Sequence, residues 1–334
     1  MSKSHGIAPS RLALSIVIPV YNGASSVADL VLALESLPIQ GGHEIVLVND
    51  GSADDSLAVC RALVDRARVP MTIVSLARNF GEHNAVMAGL RYSNGEHVIT
   101  MDDDLQNPPA EVLRLLAFAQ RNGKEVVYTY YEDKQHAVWR NIASRFANRV
   151  ADFVLDKPRG LYLSSFRCMT AFVAREITRY EGPFPYVDGL ILQVTHDIDR
   201  LLVAHLPRAA GNSNYTVRRL LRLWMNMFVN FSVMPLRIST VTGFALSAFG
   251  AVGVAMAVGE ALLFSPPPGW ASLMAAVLLL SGVQLLILGI IGEYLGRLYL
   301  TANHRPQSVV KEVRHTEPRD SAVEETSGWF HERP

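Results

Sequence analysis

The chain has 334 residues, and its 31 Lys and Arg side chains balance 31 Asp and Glu, so the formal net charge is zero. The length suffices for one large α/β domain with a smaller appendage, and the missing basic excess predicts no nucleic-acid partner. Two cysteines, Cys60 and Cys168, form neither a CxxC pair nor a Cys/His cluster. They predict buried, reduced thiols and exclude a disulfide framework.

Short apolar segments alternate with helical segments from residue 12 to about residue 131. The apolar segments are rich in Val and Ile, which is typical of strands buried on both faces of a parallel sheet. Repeated β–α units predict an α/β, Rossmann-like catalytic domain over 12–215. The predicted strands are 12–20, 44–49, 71–76, 97–101 and 125–130, and the predicted helices are 27–37, 57–67 and 110–123.

Ligands of such sheets bind at the carboxyl ends of the strands. The loops after Val20, Asn49, Leu76 and Met101 are therefore the predicted site. The following segment, 132–215, is less regular, and we assign it to the acceptor side of the catalytic domain.

An amphipathic pattern occupies 216–236. Its apolar face carries Trp and Phe, and its polar face is basic, as in helices that lie in a membrane interface. A helix packed on the globular core is the alternative. The polar face consists of Arg218, Arg222, Asn226 and Asn230.

Two apolar runs, 238–264 and 270–291, follow and are separated by the sequence SPPPG. Each is longer than the roughly 20 residues that cross a bilayer. They predict a two-helix transmembrane hairpin over 237–299, with two buried core helices as the alternative.

Basic residues flank the outer ends of both runs, and the connecting loop has none. The positive-inside rule therefore places the catalytic domain and both termini in the cytoplasm. Residues 1–11 lack the apolar core of a signal peptide and form an N-terminal tail. Residues 300–334 form a C-terminal tail, which we expect to be disordered from His315.

The strongest local signal is ITMDDDLQNPP at 99–109, where a strand delivers three acids to its carboxyl edge. Strand alternation turns Asp102 and Asp104 to the same side if the strand continues that far. Two carboxylates on one side suit a divalent cation that prefers oxygen ligands, Mg²⁺ or Mn²⁺, and Gln106 would add an amide oxygen.

A bland alternative exists for this acidic segment. The acids would solvate the loop, and Asn107 would cap the next helix, with Pro108 or Pro109 in its first turn. Capping and metal binding are compatible.

A second carboxylate, Asp50, ends the strand in IVLVNDGSADDS. It suits a hydrogen bond to a base or ribose, and the alternative is an Asp-Gly turn with Ser52 as helix cap. The first strand ends in PVYNG rather than GxGxxG, which argues against a nicotinamide or flavin enzyme.

Four segments, VIPVYNG, VNDGSADDS, ARNFGEHNAVMAGL and MDDDLQNPP, occur in this order. Together they resemble family 2 glycosyltransferases of the GT-A fold. With the two spans ending in GEYLGRLY, they resemble the polyprenyl-phosphate group of that family over 12–310. This group includes dolichol-phosphate mannose synthase, bactoprenol glucosyltransferases and undecaprenyl-phosphate aminoarabinose-type transferases.

The resemblance implies an enzyme of the bacterial inner membrane that acts at the cytoplasmic face. It would move a sugar, with inversion, from a UDP- or GDP-sugar to undecaprenyl or another polyprenyl phosphate. The product would serve cell-envelope glycan or lipopolysaccharide modification. Relatives pack their spans into tetramers, which implies a homo-oligomer.

The resemblance also implies residue roles on the donor side. Positions that hold the base and ribose are matched by Pro19, Tyr21 and Asp50. A loop beside the donor is matched by Arg78, Asn79 and Gly81. The two aspartates of the DxD motif are matched by Asp102 and Asp104, with Asp104 and Gln106 nearest the metal.

The acceptor side matches less completely. A segment near the acceptor is matched by Arg208, Gly211, Ser213 and Tyr215, with Asn214 in place of the group's lysine.

Three further departures affect the donor and catalytic positions. Gly23 stands where Glu is common, and Asn49 replaces an Asp. Ser164 and Ser165 replace an acid that is proposed as catalytic base in the family.

The loss of that acid is chemically tolerable. A base is needed to deprotonate a hydroxyl, whereas a polyprenyl phosphate is already an anion and needs positioning and charge compensation. We hypothesise that Ser165 and Arg167, helped by Arg208, contact donor or lipid phosphate. Solvated surface residues are the alternative for each basic candidate. The remaining candidates are Lys134, Arg140 and Arg145.

Two other functions compete. A transferase with a sugar-hydroxyl acceptor usually carries Q-x-x-R-W and more spans, and neither is found. A non-catalytic nucleotide-sugar-binding membrane protein would be favoured by loss of Asp102 and Asp104, and both are present.

Overall fold

The computed structural model describes residues 12–131, 161–206, 234–263, 269–303 and 305–316. Within these ranges the strands are β1 (Leu14–Val20), β2 (His43–Asn49), β3 (Met71–Leu76), β4 (His97–Thr100), β5 (Val126–Tyr130), β6 (Arg167–Thr170), β7 (Ile198–Leu202) and β8 (Val310–His315). The helices are α1 (Val27–Glu35), α2 (Ser56–Arg66), α3 (Glu82–Leu90), α4 (Pro109–Asn122), α5 (Ala171–Thr178), α6 (Val187–Val194), α7 (Met234–Leu263) and α8 (Trp270–Ala302).

The strands form one mixed sheet in the order β7-β5-β6-β4-β1-β2-β3-β8. Strands β1 to β4 are parallel, and Leu14 of β1 pairs with His43 of β2 and His97 of β4. Apolar side chains alternate between two buried clusters, one on each face of the sheet. The five predicted strands are confirmed because Val and Ile fill both faces.

Antiparallel strands depart from the expected parallel sheet at two places. Strand β6 lies between β4 and β5 and is antiparallel to both. It has only four residues, RCMT, and begins with a charged residue, so its sequence lacks a strand pattern. Its position matters because it carries the chain away from Ser164 and Ser165, directly beside the strand that delivers the three aspartates.

Strand β8 adds an antiparallel edge next to β3. The residues that we predict as a cytoplasmic tail thus return to the sheet, and His315 is the last residue of a strand rather than the start of a disordered segment. Glu312 of β8 forms an ion pair with Arg61 of α2. Polar alternation in VKEVRH fits an edge strand exposed to water.

The hairpin helices α7 and α8 both form and expose most of their described apolar side chains. Among the described residues, one stretch, Leu279–Ala302, is long and apolar enough to cross a membrane, with a mean hydropathy of 1.7. Ser239–Gly253 is a shorter apolar segment. The predicted span over 238–264 therefore stays a prediction. The predicted interface helix lies outside the described residues except for its last part, 234–236.

Both cysteines are buried and free, as predicted. Burial raises the pKa of the Cys60 thiol and of the Cys168 thiol to about 12. Neither is therefore a thiolate at neutral pH.

Candidate active site

The loops after β1 and β2 interlock at the carboxyl edge of the sheet. The backbone N–H of Asn22 donates to Ser52 Oγ at 3.1 Å, and Asn22 Oδ1 accepts from the N–H of Ala53 at 2.9 Å. The N–H of Gly23 donates to Ser56 Oγ at 2.9 Å. Ser52 thus secures the first loop and does not cap α2, which begins at Ser56.

Asp50 positions the loop after β3. Its two carboxylate oxygens accept hydrogen bonds from the backbone N–H groups of Phe80 at 2.7 Å and Gly81 at 2.9 Å. Burial raises the pKa of Asp50, and these two hydrogen bonds oppose that shift. The contact with base or ribose that the resemblance implies stays a prediction, whereas the observed contacts fix the 79–81 backbone.

Gly51 allows the same loop to approach. Its φ is +60°, and a Cβ there would lie 2.3 Å from the carbonyl carbon of Arg78 and 2.5 Å from the nitrogen of Asn79. Any side chain at position 51 must therefore displace the backbone of the donor-side loop.

We expect Gly51→Ala to lower the free energy of unfolding by about 3 kcal/mol, from left-handed strain plus the backbone clash. Gly123→Ala is the matched control, because Gly123 has the same φ of +60° with open space around its Cβ position. It should cost about 1 kcal/mol. Denaturant titration of both variants checks this, and equal losses would show that the approach of the loop is unimportant.

The predicted donor-side residues line this edge. Tyr21 of the loop after β1 is 51% exposed, and Arg78 and Asn79 of the loop after β3 are also exposed. The Arg78 guanidinium lies over the Phe80 ring, 4.3 Å from its centroid. Pro19 is half-buried within β1. Tyr21, Arg78 and Asn79 are thus exposed, and their contact with a nucleotide stays a prediction.

The acidic segment follows β4 but is not part of it. The strand ends at Thr100, and Leu105 adopts a left-handed φ of 59°. Asp102 Oδ2 accepts a hydrogen bond from Ser165 Oγ at 2.7 Å, and Asp104 Oδ1 accepts from the backbone N–H of Gln106 at 3.2 Å. Strand alternation therefore does not set the directions of the two carboxylates.

Three adjacent carboxylates concentrate negative charge in this segment. Burial, together with Asp102 and Asp104, raises the pKa of Asp103 to about 7. In the part of the chain that the structure describes, no three His, Cys, Asp or Glu side chains form a ready metal site. Two carboxylates with phosphate oxygens of a substrate suffice for Mg²⁺ or Mn²⁺, so the residues fit such an ion.

The two residues Gln106 and Asn107, which follow the aspartates closely in sequence, form hydrogen bonds with other loops. Gln106 Nε2 donates to the carbonyl oxygen of Leu206 at 3.4 Å. Asn107 Oδ1 accepts from the Tyr131 hydroxyl at 3.1 Å. The predicted capping by Asn107 is therefore wrong, while the predicted proline in the first turn of α4 is confirmed at Pro109.

Ser164 and Ser165, which stand where the family resemblance implies an acid, contact the acidic segment and the strands beside it. The carbonyl oxygen of Ser165 accepts from Thr100 Oγ1 at 2.6 Å, while its hydroxyl donates to Asp102. Ser164 Oγ accepts from Thr129 Oγ1 at 3.1 Å. The pair thus ties β5, β6 and the end of β4 together and orients Asp102.

Arg167 lies in a buried polar cluster rather than at the surface. Its guanidinium is ion-paired with Asp188 of α6, its Nε donates to Thr100 Oγ1 at 3.2 Å, and the residue is 2% exposed. The Tyr128 hydroxyl donates to Asp188 Oδ1 at 2.9 Å. This placement differs from the phosphate contact that we hypothesised, because the guanidinium is buried and paired inside the protein.

Two neighbours complete the buried cluster. The His83 and Tyr186 rings meet edge to face, with centroids 5.1 Å apart. Burial lowers the pKa of His83 to about 4, so it is neutral at pH 7. Asp188 was missed by sequence reasoning, although an acid within the apolar helix VDGLILQV was an available signal.

The acceptor side is the part of the predicted site that the structure does not describe. All of the predicted acceptor-side residues lie outside the described residues, so their roles stay predictions. They are Lys134, Arg140, Arg145, Arg208, Ser213 and Tyr215.

Two family models match the chain. The model of glycosyl transferase family 2 matches residues 15–178, which contain every loop described above up to β6 and α5. The model of the GtrB C-terminal hairpin matches residues 234–298, which correspond to α7 and most of α8.

Curated relatives match both regions together. An undecaprenyl-phosphate 4-deoxy-4-formamido-L-arabinose transferase from Pseudomonas savastanoi pv. phaseolicola is 34% identical over 314 residues, 90% of each chain. One of the same name from Pseudomonas aeruginosa is 34% identical over 319 residues, 91% of each chain.

Among solved structures, the glucosyl-3-phosphoglycerate synthase of Mycobacterium tuberculosis with Mn²⁺ and UDP-glucose is 17% identical. The match covers 66% of this chain and 77% of that one, with a TM-score of 0.48. The curated relatives, by contrast, match nine-tenths of the chain, including the site and the hairpin. The chain therefore belongs to glycosyl transferase family 2, with a GtrB-type C-terminal hairpin.

Proposed function

We propose that this enzyme transfers a sugar from a UDP- or GDP-sugar to undecaprenyl phosphate at the cytoplasmic face of the bacterial inner membrane. One observation carries the proposal. The match to the two Pseudomonas enzymes covers at least 90% of the chain, so it includes the membrane hairpin as well as the donor site. A transferase that shared only the donor domain with these relatives would not match them in the hairpin.

The donor diphosphate belongs at the acidic segment. Asp102 and Asp104 fit a divalent cation, which when bound supplies positive charge against the departing nucleoside diphosphate. Ser165 holds Asp102 in place through its hydroxyl. Tyr21 is exposed to receive the base, and Asp50 keeps the Arg78-bearing loop beside it.

The acceptor needs no protein base. Ser165 stands where the family resemblance implies an acid, and its hydroxyl donates to Asp102 rather than accepting a proton. The lipid phosphate oxygen is already anionic at neutral pH, so it attacks the anomeric carbon directly as the bond to the diphosphate oxygen breaks. Attack opposite the leaving group inverts the configuration. Charge compensation would come from Lys134, Arg140, Arg145 and Arg208, with Ser213 and Tyr215 near the acceptor.

Contacts between the hairpin end and the catalytic domain support acceptor delivery from the bilayer. The Arg297 guanidinium of α8 lies 5.7 Å from the centroid of the Phe184 ring. Beyond the helix, Gln307 Nε2 donates to the carbonyl oxygens of Tyr180 and Gly182, both at 2.9 Å. We propose that two spans with both ends in the cytoplasm hold the sheet edge near the membrane surface, and that the spans assemble a homotetramer.

A label-transfer screen tests this function. Purified protein in detergent receives radiolabelled UDP- or GDP-sugars, undecaprenyl phosphate, and Mg²⁺ or Mn²⁺. We expect label in the organic phase with at least one donor, and a loss of at least about tenfold when EDTA replaces the cation. Failure of every donor in the presence of lipid phosphate would refute the proposal.

A further inference from the structure

Asp103, the middle aspartate of the acidic segment, occupies the space in which a side chain at position 23 would lie. Gly23 is buried, and a Cβ at that position would lie 2.0 Å from Asp103 Oδ2 and 2.9 Å from Asp103 Cγ. The φ of Gly23 is not left-handed, so backbone strain does not require glycine there. Space alone excludes a side chain, and the group that fills the space is the carboxylate of Asp103.

The same carboxylate contacts the first donor loop directly. The backbone N–H of Tyr21 lies close enough to the Asp103 carboxylate to oppose the rise of its pKa. Asp103 Oδ2 is buried and has no hydrogen-bond partner among the described residues. Burying an unsatisfied carboxylate costs free energy, and its aspartate neighbours add repulsion. Local stability therefore does not explain why an acid stands at position 103.

The other side of this loop is already fixed. Asn22 donates its backbone N–H to Ser52 of the loop after β2, and Gly23 donates its N–H to Ser56 at the start of α2. Asp103 connects the loop that carries Tyr21 to the segment that carries Asp102 and Asp104. These are the two parts of the site that would hold opposite ends of a nucleoside diphosphate.

We propose that Asp103 is a positioning residue whose carboxylate, seated in the space of a side chain at position 23, locks the base-binding loop onto the metal-binding segment. The resemblance to family 2 enzymes, in which Glu is common at position 23, places a carboxylate in this region from the opposite loop. In this chain the carboxylate comes from position 103, and Gly23 leaves room for it. The inference rests on the proposed donor site and adds a residue pair to it.

Substitutions at both positions test the coupling. Nucleotide affinity is measured by calorimetry with MnCl₂ and whichever of UDP and GDP the wild-type protein binds. Asp103→Ala should weaken binding about tenfold, because the contact of its carboxylate with the first donor loop is lost. Gly23→Ala should weaken it by a similar factor, since the new methyl group expels the carboxylate.

The combined variants separate this account from a general packing defect. Gly23→Ala/Asp103→Ala should bind no more weakly than Asp103→Ala alone, because the two changes remove one contact. Gly23→Glu/Asp103→Ala should recover most of the lost affinity by supplying the carboxylate from the opposite loop. Asp29→Ala, which removes an exposed acid from α1, is the control and should bind like wild type.

Thermal midpoints decide between positioning and structural roles. Asp103→Ala should keep or raise the thermal midpoint while it lowers the nucleotide affinity. It removes a buried carboxylate, one oxygen of which has no hydrogen-bond partner among the described residues. Wild-type affinity in Gly23→Ala, multiplied losses in the double variant, or a lowered midpoint in Asp103→Ala would each overturn the inference. If wild-type protein binds neither nucleotide, the donor site itself is refuted, which is a separate result from unaltered binding in the variants.

Discussion

Asp102→Asn and Asp104→Asn should each lower the rate of sugar transfer by about 100- to 1,000-fold. Each change removes one negative charge while keeping the size of the side chain. The charge matters because the cation that compensates the departing diphosphate is proposed to bind these carboxylates, and compensation in a site poor in water is a large catalytic term. Organic-phase product formed per minute, measured across Mn²⁺ concentrations, checks the expectation.

The two variants should also require more Mn²⁺ for half-maximal rate, whereas a change in folding would lower the rate at every concentration alike. Asp29→Asn on the exposed face of α1 is the matched control and should retain wild-type transfer. Transfer by both DxD variants within threefold of wild type would contradict a role of the acidic segment in the reaction.

Asp188→Ala should destabilise the protein more than any surface substitution, by about 3 to 5 kcal/mol, because it leaves the buried Arg167 guanidinium without its counter-charge. The thermal midpoint in detergent should fall by about 10 °C. Glu176→Ala is the control, since Glu176 pairs with Arg179 at the surface, where the arginine is 77% exposed. That pair should contribute less than about 1 kcal/mol.

Replacing both members of the buried pair distinguishes charge compensation from simple loss of packing. Arg167→Met/Asp188→Leu should recover most of the midpoint that Asp188→Ala loses, because no unpaired charge remains. It should still transfer sugar more slowly than wild type, since the hydrogen bond from Arg167 to Thr100 beside the acidic segment is lost. A double variant as unstable as Asp188→Ala would contradict this account of the cluster.

The parallel strands β1 to β4 were predictable because each is a continuous apolar segment and each is followed by a helical segment. Strand β6 was not, because four residues that begin with Arg167 carry no periodicity. Its antiparallel place between β4 and β5 depends on long-range pairing. Strand β8 was missed because an exposed edge strand can be as polar as a tail.

The edge that carries the candidate site was predictable, but several contacts within it were not. Asp50 was recognised as a strand-end carboxylate, yet its hydrogen bonds join it to a loop 30 residues away. Arg167 looked like a phosphate ligand because sequence does not show that Asp188, 21 residues later, faces it in the core. The relation between Gly23 and Asp103 joins two residues that are far apart in sequence and adjacent only in the fold.

The mass of the lipid product tests the central claim most directly. Wild-type protein is incubated with its best nucleotide-sugar and either undecaprenyl phosphate or undecaprenol, and the organic phase is analysed by mass spectrometry. We predict one new species, undecaprenyl phosphate plus a single sugar residue, and none from the alcohol, because the proposed mechanism includes no protein base that would deprotonate it. Glycosylation of undecaprenol, or an unchanged phosphate lipid with every donor, would contradict the account.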